Sequence, residues 1–410
     1  MKKLFGLVLV GGLYPCAAIT QEAEPGGVFF TLDIGQTLEA STDRDLSTPE
    51  DEDGVEGLTS FRFGAVTETR TQRLSFGLGG GARAFDGELT NDDISLGLAY
   101  SRNSADSLLE TSLSAVQANI EFLRDASDFI NDDGVLVLPD DFEDLVGTGT
   151  RTATTFAASL RWGETNPIGY RIALSQQLLR YQDASAALLD TDTGTISAGA
   201  RLNINEVTTG NLDLSYTQTD EVGEAADDRL TLGSSITFAR PLGNLTYRLS
   251  TSRNEDDDVF WAGSISRRLE LPRSALSGSI GVVEDDDGDV RPVGDITFAY
   301  PRPTGQIELS AARTLAPGDD RGTTTLRAVY AQAVTPVSNL QFEINVGAAS
   351  EPDGSDRLAT GAVSGSYGIE LGEFWQLDVG ARHNIRDDDG SRSQSNTLFV
   401  ALNRVISWRP

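Results

Sequence analysis

The chain has 410 residues, and its 62 acidic against 32 basic residues give a formal net charge of −30 at pH 7. Nucleic acids and anionic lipid surfaces bind to clustered positive charge, so this balance argues against a nucleic-acid partner. No apolar run after residue 18 reaches the ~20 residues that a membrane-spanning helix needs. If the chain crosses a membrane, it must do so as a closed barrel.

The N-terminus has the layout of a secretory signal peptide. Two lysines precede an apolar run over residues 4–14, and small residues follow it. We therefore predict a cleaved signal peptide at 1–18 and a short periplasmic tail at 19–27. Cys16 leaves open a lipid-modified alternative. It is the only cysteine of the chain, so cleavage after residue 18 would leave no thiol for disulfides or metal binding.

Alternation of apolar with small or polar residues predicts β-strands along most of the chain. In residues 152–163, Phe156 and Leu160 point to one side while Thr155 and Arg161 point to the other, which is the period of a strand. Several segments have the ~9–11 residues that a tilted membrane-spanning strand requires. Other strands are predicted at 28–39, 57–67, 72–85, 93–102, 195–205, 230–240, 340–349 and 374–385. A strand at 107–117 is added because without it the acidic loops at 41–56 and 86–92 would fall on the side of the short turns.

The predicted connections alternate between short proline-rich turns and longer acidic loops. Turns such as 164–167 and 301–304 contain proline, whereas connections such as 86–92 and 386–393 are rich in aspartate. Short periplasmic turns and longer extracellular loops are typical of outer-membrane barrels. We predict an all-β chain, a single transmembrane antiparallel up-and-down β-barrel over 28–410. Counting strands gives about 20 of them, with 16 or 18 left open.

Aromatic residues concentrate near the short turns and the C-terminus. Core aromatics of a soluble sandwich would be spread through strand middles, whereas a barrel places a girdle of them at the membrane interface. The predicted girdle residues are Trp162, Tyr170, Tyr247, Tyr300, Trp375 and Trp408.

Acidic clusters such as "GVVEDDDGDVRPVG" at 281–294 resemble part of a calcium loop. Aligning Gly288 with the sixth position of an EF-hand loop places Val283 first and Gly294 twelfth, where oxygen ligands are required. The cluster is therefore interpreted as a hairpin tip. No metal site or cofactor is predicted, although bridging of neighbouring tips by divalent cations stays open.

Catalysis has little support in the sequence. The single histidine, His383, shares its side of the strand with apolar residues, and its neighbour two positions along is Ile385 rather than a serine. One histidine is too few for an ordinary zinc site. We predict that the protein is not an enzyme.

The inward face of the predicted barrel carries charges of both signs. Its arginines suit a pore with a transverse field or an arginine ladder for sugars or anions. The alternative is that the inward charges pair across the wall and hold a filled barrel rigid. The candidate pore-lining residues are Arg62, Arg83, Arg161, Arg171, Arg201, Arg248, Arg268, Arg382 and Asp378.

Residues 118–150 interrupt the strand pattern with acidic residues around an apolar run. Long connections of this kind are usually functional or disordered. We expect a long extracellular loop, which either folds into the barrel mouth as a constriction or plug or forms a mobile surface loop.

Together, the leader, the alternating strands, the two classes of connection and the C-terminal "NTLFVALNRVISW" resemble bacterial outer-membrane β-barrels. More narrowly, the strands resemble porins associated with exopolysaccharide loci. The resemblance implies an outer-membrane channel for small hydrophilic solutes, with a polysaccharide export conduit or a structural, adhesive barrel as alternatives. It also implies outer-membrane lipid, lipopolysaccharide, the barrel-assembly machinery, and small solutes or saccharides as partners.

Overall fold

The structure is a computed structural model of the whole chain. The residues that it describes are 27–43, 46, 53–123, 129–130, 136–139, 141–142, 145, 148–185, 188–223, 225–318, 321–351, 358–388 and 391–409. The predicted signal peptide at 1–18 and most of the tail at 19–27 lie outside them.

Twenty β-strands account for most of the described chain. In chain order they are β1 Gly27–Thr42, β2 Gly54–Glu68, β3 Gln72–Phe85, β4 Glu88–Asn103, β5 Ser107–Asn119, β6 Thr150–Trp162, β7 Ile168–Gln182, β8 Thr191–Asn205, β9 Thr208–Glu221, β10 Asp227–Arg240, β11 Gly243–Arg253, β12 Val259–Leu271, β13 Ser274–Glu284, β14 Val290–Arg302, β15 Gly305–Thr314, β16 Gly322–Thr335, β17 Ser338–Ser350, β18 Leu358–Glu370, β19 Trp375–Asp388 and β20 Ser391–Trp408. A single turn of 3₁₀ helix, Ile120–Phe122, follows β5.

The strands form one closed antiparallel sheet. Each strand pairs with the next along the chain, as β1 does with β2 and β19 with β20. The last strand then pairs with the first, from Phe30 opposite Trp408 to Thr42 opposite Asn396. Closure leaves no sheet edge with unpaired backbone groups, which is the condition for a sheet to lie in hydrocarbon. The predicted up-and-down barrel and its count of about 20 strands are confirmed.

The two ends of the barrel differ. We call the end with the turns 69–71, 104–106, 163–167 and their equivalents the short-turn end; β1 starts there and β20 finishes there. The opposite, acidic end carries the longer connections, including 43–53 and 120–149. Proline and glycine at the short turns and aspartate at the longer connections had indicated this division.

The two faces of the sheet also differ. Along β10 and β11 the large apolar side chains share one face, and Leu249 on that face is 59% exposed. Arg248 and its partner Ser235 point the opposite way. The same register continues round the barrel, so the outer face is apolar and the inner face is polar. Monomeric soluble proteins rarely expose so large an apolar surface, so this outer face suits contact with lipid.

Two predicted acidic loops are much shorter than expected. The connection predicted at 86–92 consists only of the turn Asp86–Gly87, because β4 begins at Glu88 and pairs with Phe85 of β3. Similarly, most of 386–393 belongs to β19 and β20. Ladder hydrogen bonds to a neighbouring strand hold these acidic stretches extended, although their composition alone favours loops.

The acidic tip between β13 and β14 is a hairpin turn. Asp285 is fully buried, and its carboxylate accepts hydrogen bonds from Arg291 Nε and from the backbone N–H of Asp289, both at 2.7 Å. Gly288 has φ +80°, a left-handed conformation that favours glycine. The first aspartate of the cluster thus organises the turn, as the hairpin interpretation requires.

Candidate functional site in the barrel lumen

The strand register places all nine predicted pore-lining residues on the inner face. On β6 and β7, for example, Arg161 lies directly opposite Arg171, on the side away from the exposed Phe156 and Leu160. Sharing a face does not make them one cluster, however, and their surroundings divide them into three groups. Their part in lining a pore stays a prediction.

The first group is neutralised by nearby carboxylates. Arg161 Nη2 lies 2.6 Å from Glu110 Oε2, and Arg83 forms a short ion pair with Glu56. Arg268 Nε lies 3.2 Å from Glu270 Oε1. Arg161 and Arg83 thus join neighbouring strands, which is what the filled-barrel alternative expects, whereas the Arg268–Glu270 pair lies within β12.

The second group binds structural oxygens or amides. Arg201 Nη2 donates to the carbonyl oxygens of Gly163 and Glu164 at 2.9 and 3.1 Å, so it caps the short turn between β6 and β7. Asp378 accepts from Gln376 Nε2 at 2.9 Å and from Asn403 Nδ2 at 3.3 Å. Both residues lie near the short-turn end and stabilise it. Arg62 lies opposite Asp33, and Arg382 lies opposite Ser364 and Thr397.

The third group consists of arginines whose guanidinium groups have no partner in the part of the chain that the structure describes. Arg171 and Arg248 belong to it, and both are exposed. Arg73 of β3, which the sequence analysis did not single out, also has no partner in the described part of the chain. It shares the inner face with Arg83, ten positions later in the same strand, so period two along β3 could have identified it.

The six predicted girdle aromatics lie on the outer face near the short-turn end. Trp162 stacks on Tyr170 with ring centroids 5.5 Å apart, and Trp408 stacks on Phe30 at 5.4 Å, across the closing seam of the barrel. Arg404 lies over the ring of Trp375 at 5.1 Å. The remaining two, Tyr247 and Tyr300, each contact a phenylalanine. Their level in a membrane stays a prediction.

The segment between β5 and β6, residues 120–149, begins and ends against the wall that it leaves. Ile120 N donates to Gly149 O at 2.9 Å, which holds the two ends of the segment together. Ile120 and Leu145 are fully buried in one apolar cluster with Leu188 of the β7–β8 connection. We call this the near-wall cluster.

An ion pair adds to the near-wall contacts. Asp141 accepts from Arg151 Nε at 2.6 Å and from Arg151 Nη2 at 3.0 Å, a two-pronged contact. The hydroxyl of Tyr181 donates a short hydrogen bond to the same carboxylate. Arg151 and Tyr181 are register partners on the inner face of β6 and β7. The sequence analysis missed all three residues, because only folding brings Asp141 to the wall.

A second apolar cluster joins the same segment to a different wall. Leu136, Leu138 and Phe142 pack with Ala349 of β17 and Leu358 of β18, and all five are at most 7% exposed. We call this the far-wall cluster. A Cβ added to Gly347 of β17 would lie 2.9 Å from Leu138 Cδ2, so the leucine lies directly on the inner face there.

The two clusters lie on facing walls. β7 and β17 are ten strands apart in either direction round a closed sheet of 20. Phe129 packs against both clusters, so the described parts of the β5–β6 segment bridge the lumen at the acidic end. Whether the segment acts as a constriction or plug stays a prediction.

Nothing in the described chain suggests catalytic or metal chemistry. His383 lies on the outer face, where its Nδ1 is 2.9 Å from Asn396 Oδ1. No group of three or more histidine, cysteine or acidic side chains is placed to hold a metal ion among the residues that the structure describes. Within those same residues, no helix is both long and apolar enough to cross a membrane. Cation bridging at the acidic tips stays a prediction.

Comparison with known proteins finds similarity in structure alone. No protein-family model and no curated protein matches the sequence. A mutant of the ferric enterobactin receptor PfeA from Pseudomonas aeruginosa, in complex with enterobactin, superposes with a TM-score of 0.50 at 10% identity, over 91% of this chain and 81% of that one.

Other solved barrels from Pseudomonas aeruginosa resemble the chain more loosely. The siderophore receptor PirA has a TM-score of 0.49 at 11% identity, covering 93% of this chain and 81% of the receptor. OccK5 (OpdH) has a TM-score of 0.41 at 12% identity, covering 93% of this chain and 99% of that one. The chain has the fold of an outer-membrane β-barrel. At such low identity the likeness extends no further than the fold.

Proposed function

We propose that the protein is an outer-membrane channel for small hydrophilic solutes, and that the β5–β6 segment narrows its lumen. The observation that carries the proposal is the contrast between the two faces of one closed sheet. Its outer face exposes large apolar side chains, and its inner face carries arginine, serine and threonine with a recess of about 640 Å³ between β3 and β8. A lipid-facing exterior around a polar interior is the arrangement of an aqueous passage.

The orientation follows from the ends of the barrel. Both described termini lie at the short-turn end, which we assign to the periplasm, and the acidic end then faces the cell exterior. This assignment agrees with a cleaved leader, with assembly by the barrel-assembly machinery and with lipopolysaccharide around the acidic connections. We further propose that the protein transports its solutes without chemistry.

Single-channel recording in planar bilayers tests the proposal. The refolded protein should conduct, and a variant in which residues 121–148 are replaced by a short Gly-Ser linker should conduct more. The hydrogen bond from Ile120 N to Gly149 O shows that the two ends are close enough for such a linker. A wild-type barrel and a linker variant that are both folded and both silent would contradict the proposal.

A matched control separates constriction from general damage to the acidic end. Residues 222–226 form another connection at that end and belong to neither apolar cluster. Replacing them with an Asn-Gly turn shortens a loop without changing the β5–β6 segment. Conductance should then stay at the wild-type level. An equal increase in both variants would mean that the β5–β6 segment has no special part in limiting flow.

The bridge also favours a second candidate, a conduit for polysaccharide export whose passage opens only when the segment moves. That candidate predicts a silent wild-type protein and a strongly conducting linker variant. A non-conducting structural or adhesive barrel predicts silence in both. The same pair of recordings therefore distinguishes the three functions.

A cysteine pair tests whether the segment stays docked. Leu138 Cγ would lie 3.3 Å from a Cβ at position 347, so the double variant Leu138→Cys, Gly347→Cys is expected to form a disulfide. Pairing Leu138→Cys with Gly233→Cys, on β10, provides the control, since Gly233 has only Asp213 near it. Equal cross-linking in both pairs would indicate a mobile surface loop.

A further inference from the structure

The recess between β3 and β8 lies in the half of the lumen nearer the short-turn end. Its volume of about 640 Å³ falls in the range of roughly 300–1,000 Å³ found for ligand pockets. It exists because the inner face of these strands carries small side chains, such as Ala99, Ala157 and Ala173, where larger ones would fill the space. A solute that has passed the β5–β6 segment would reach it next.

Hydroxyl groups line the recess. They belong to Ser101, Ser112, Ser159, Ser175, Thr195 and Ser197. Thr195 shares a hydrogen bond of 3.0 Å with Thr217, and Ser159 lies 3.5 Å from Glu110. The other four have no side-chain partner within the described ranges. Because a hydroxyl both donates and accepts, this wall suits a ligand that carries several hydroxyl groups.

The recess is also positively charged. Arg73 and Arg171 line it, and neither guanidinium has a counter-ion in the described chain. The one carboxylate in its wall, that of Glu110, is already paired with Arg161 at 2.6 Å. Two arginines without a counter-charge attract an anion, and the planar guanidinium matches a carboxylate or phosphate with two parallel hydrogen bonds.

We propose that this recess is a binding site for a sugar-sized polyol that carries one anionic group, such as a sugar acid or a sugar phosphate. Arg73 and Arg171 bind the anionic group, and the serine and threonine hydroxyls bind the polyol. The proposal rests on the proposed channel, whose solute class it narrows. A neutral sugar would lack the charge contact, and an alkyl carboxylate would lack partners for the hydroxyls.

Titration calorimetry on the full-length protein in detergent tests the site without requiring conduction. The probes are glucuronate, glucose 6-phosphate, glucose and hexanoate. Glucuronate or glucose 6-phosphate is expected to bind at least about tenfold more tightly than glucose and hexanoate, since each of the latter loses one set of contacts. Preference between the two anions would identify carboxylate or phosphate as the favoured group.

Variants assign the contacts. Arg171→Gln and Arg73→Gln should each weaken binding of the preferred anion about tenfold. Arg248→Gln removes the same charge from the inner face outside the recess and should leave binding within about twofold, as a control for long-range electrostatics. Ser175→Leu keeps both arginines but fills the recess, so it should also abolish binding. Heat-modifiable gel mobility verifies that each variant is folded.

Equal binding of all four probes, or binding that is insensitive to Arg171→Gln, would overturn the site. So would binding that falls equally in Arg248→Gln. A folded protein that binds glucuronate but never conducts would overturn the channel and leave the site standing. A conducting protein without such binding would overturn the site and leave the channel standing.

Discussion

Two parts of the barrel wall have a polar inner face, but they differ in how far their inward side chains are exposed. We call the inner face of β3–β8 the open wall and that of β16–β20 the covered wall. On the open wall Arg171 is exposed beside a recess. On the covered wall Arg327 is 6%, Asn345 3% and Arg386 3% exposed. Strand pattern alone predicts the same environment for both, so burial here is decided by what folds over the wall.

Two connections at the acidic end contact the covered wall. The β5–β6 segment packs on β17 and β18 through the far-wall cluster. The β1–β2 connection lies against β20, where Ser393 donates a short hydrogen bond to Leu46 O. Beside it, Ser395 Oγ donates to the carbonyl oxygen of Thr42, the last residue of β1, at 2.6 Å. One charge on this wall is paired there: Arg327 Nε lies 3.0 Å from Glu343. Removing the cover should therefore make the two walls alike.

Among the variants considered, Phe142→Ala is expected to have the largest effect on the difference between the covered and the open wall. Phe142 is 1% exposed within the far-wall cluster, and truncating a buried phenylalanine costs about 3–5 kcal/mol. The segment should detach from the covered wall while the barrel stays closed. Single-channel conductance should rise toward that of the linker variant. Val137→Ala, at a side chain 52% exposed in the same segment, is the matched control and should leave conductance unchanged.

Arg386→Met tests the burial of charge on the covered wall. Neither terminal nitrogen of Arg386 has a hydrogen-bond partner in the described chain. Burying an ion without its hydrogen bonds is costly, so a well-packed apolar side chain in its place should stabilise the barrel. We expect a higher thermal midpoint for loss of heat-modifiable mobility. Arg248→Met, at an exposed inner position, should leave the midpoint unchanged; a lower midpoint for Arg386→Met would show that this arginine has a stabilising partner.

Gly347→Ala probes the contact between the segment and β17 more gently. The new methyl group would lie within 3.0 Å of both Leu138 Cδ atoms, so the leucine must move. Overpacking of this kind costs about 1–3 kcal/mol. Brief openings to the higher conductance level are expected in single-channel records. Gly233→Ala adds the same methyl group with its nearest neighbour at 3.9 Å, and it should behave as the wild type.

The smallest effect concerns a turn outside both walls. Asp106 accepts from Thr165 Oγ1 at 2.7 Å, from Thr165 N at 3.1 Å and from Asn166 Nδ2 at 3.3 Å, joining two short turns. The hydrogen bonds from Thr165, that of its side chain first and that of its backbone second, lower the pKa of Asp106 from its ordinary value of 3.8. Their contribution to stability is present above that value and is lost as the pH falls through the lower folded-state pKa.

Asp106→Asn should therefore lower the thermal midpoint slightly near neutral pH, with little effect on conductance. The difference from the wild type should shrink once the pH falls below about 3.8, because protonation removes the same interaction from the wild type. Midpoints measured across this range provide the comparison. A difference that stays constant with pH would show that the charge of Asp106 is not involved.

Most of the fold could be predicted from the sequence, because the alternation of side chains along each strand shows which of them share a face. Period two placed Arg161 and Arg171 on the inner face and Trp162 on the outer face, since successive side chains of a strand point in opposite directions. The strand at 107–117 was required only to keep the short turns at one end, and β5 Ser107–Asn119 confirms it. Boundaries were less certain, as the wrong loop at 86–92 shows.

Local pattern could not predict the partners of those side chains. Arg161 and Arg171 occupy facing positions, yet Arg161 is paired with Glu110 while Arg171 has no charged partner among the residues that the structure describes. Arg201, on the same face, donates to a turn carbonyl. The difference depends on which residue lies across the ladder, hence on the register between strands. Register follows from turn geometry and packing over the whole sheet.

The sequence by itself determined a closed barrel with an apolar exterior, a polar interior and two unlike ends, because alternation and turn chemistry are local properties that every hairpin repeats. Only the tertiary structure decided which wall is open. Asp141 meets Arg151 and Tyr181, and Leu138 meets Gly347, across separations in the chain that no period connects. Closing the sheet brings β7 and β17 face to face, and that proximity lets one segment contact both walls at the acidic end. The recess of β3–β8 lies nearer the short-turn end.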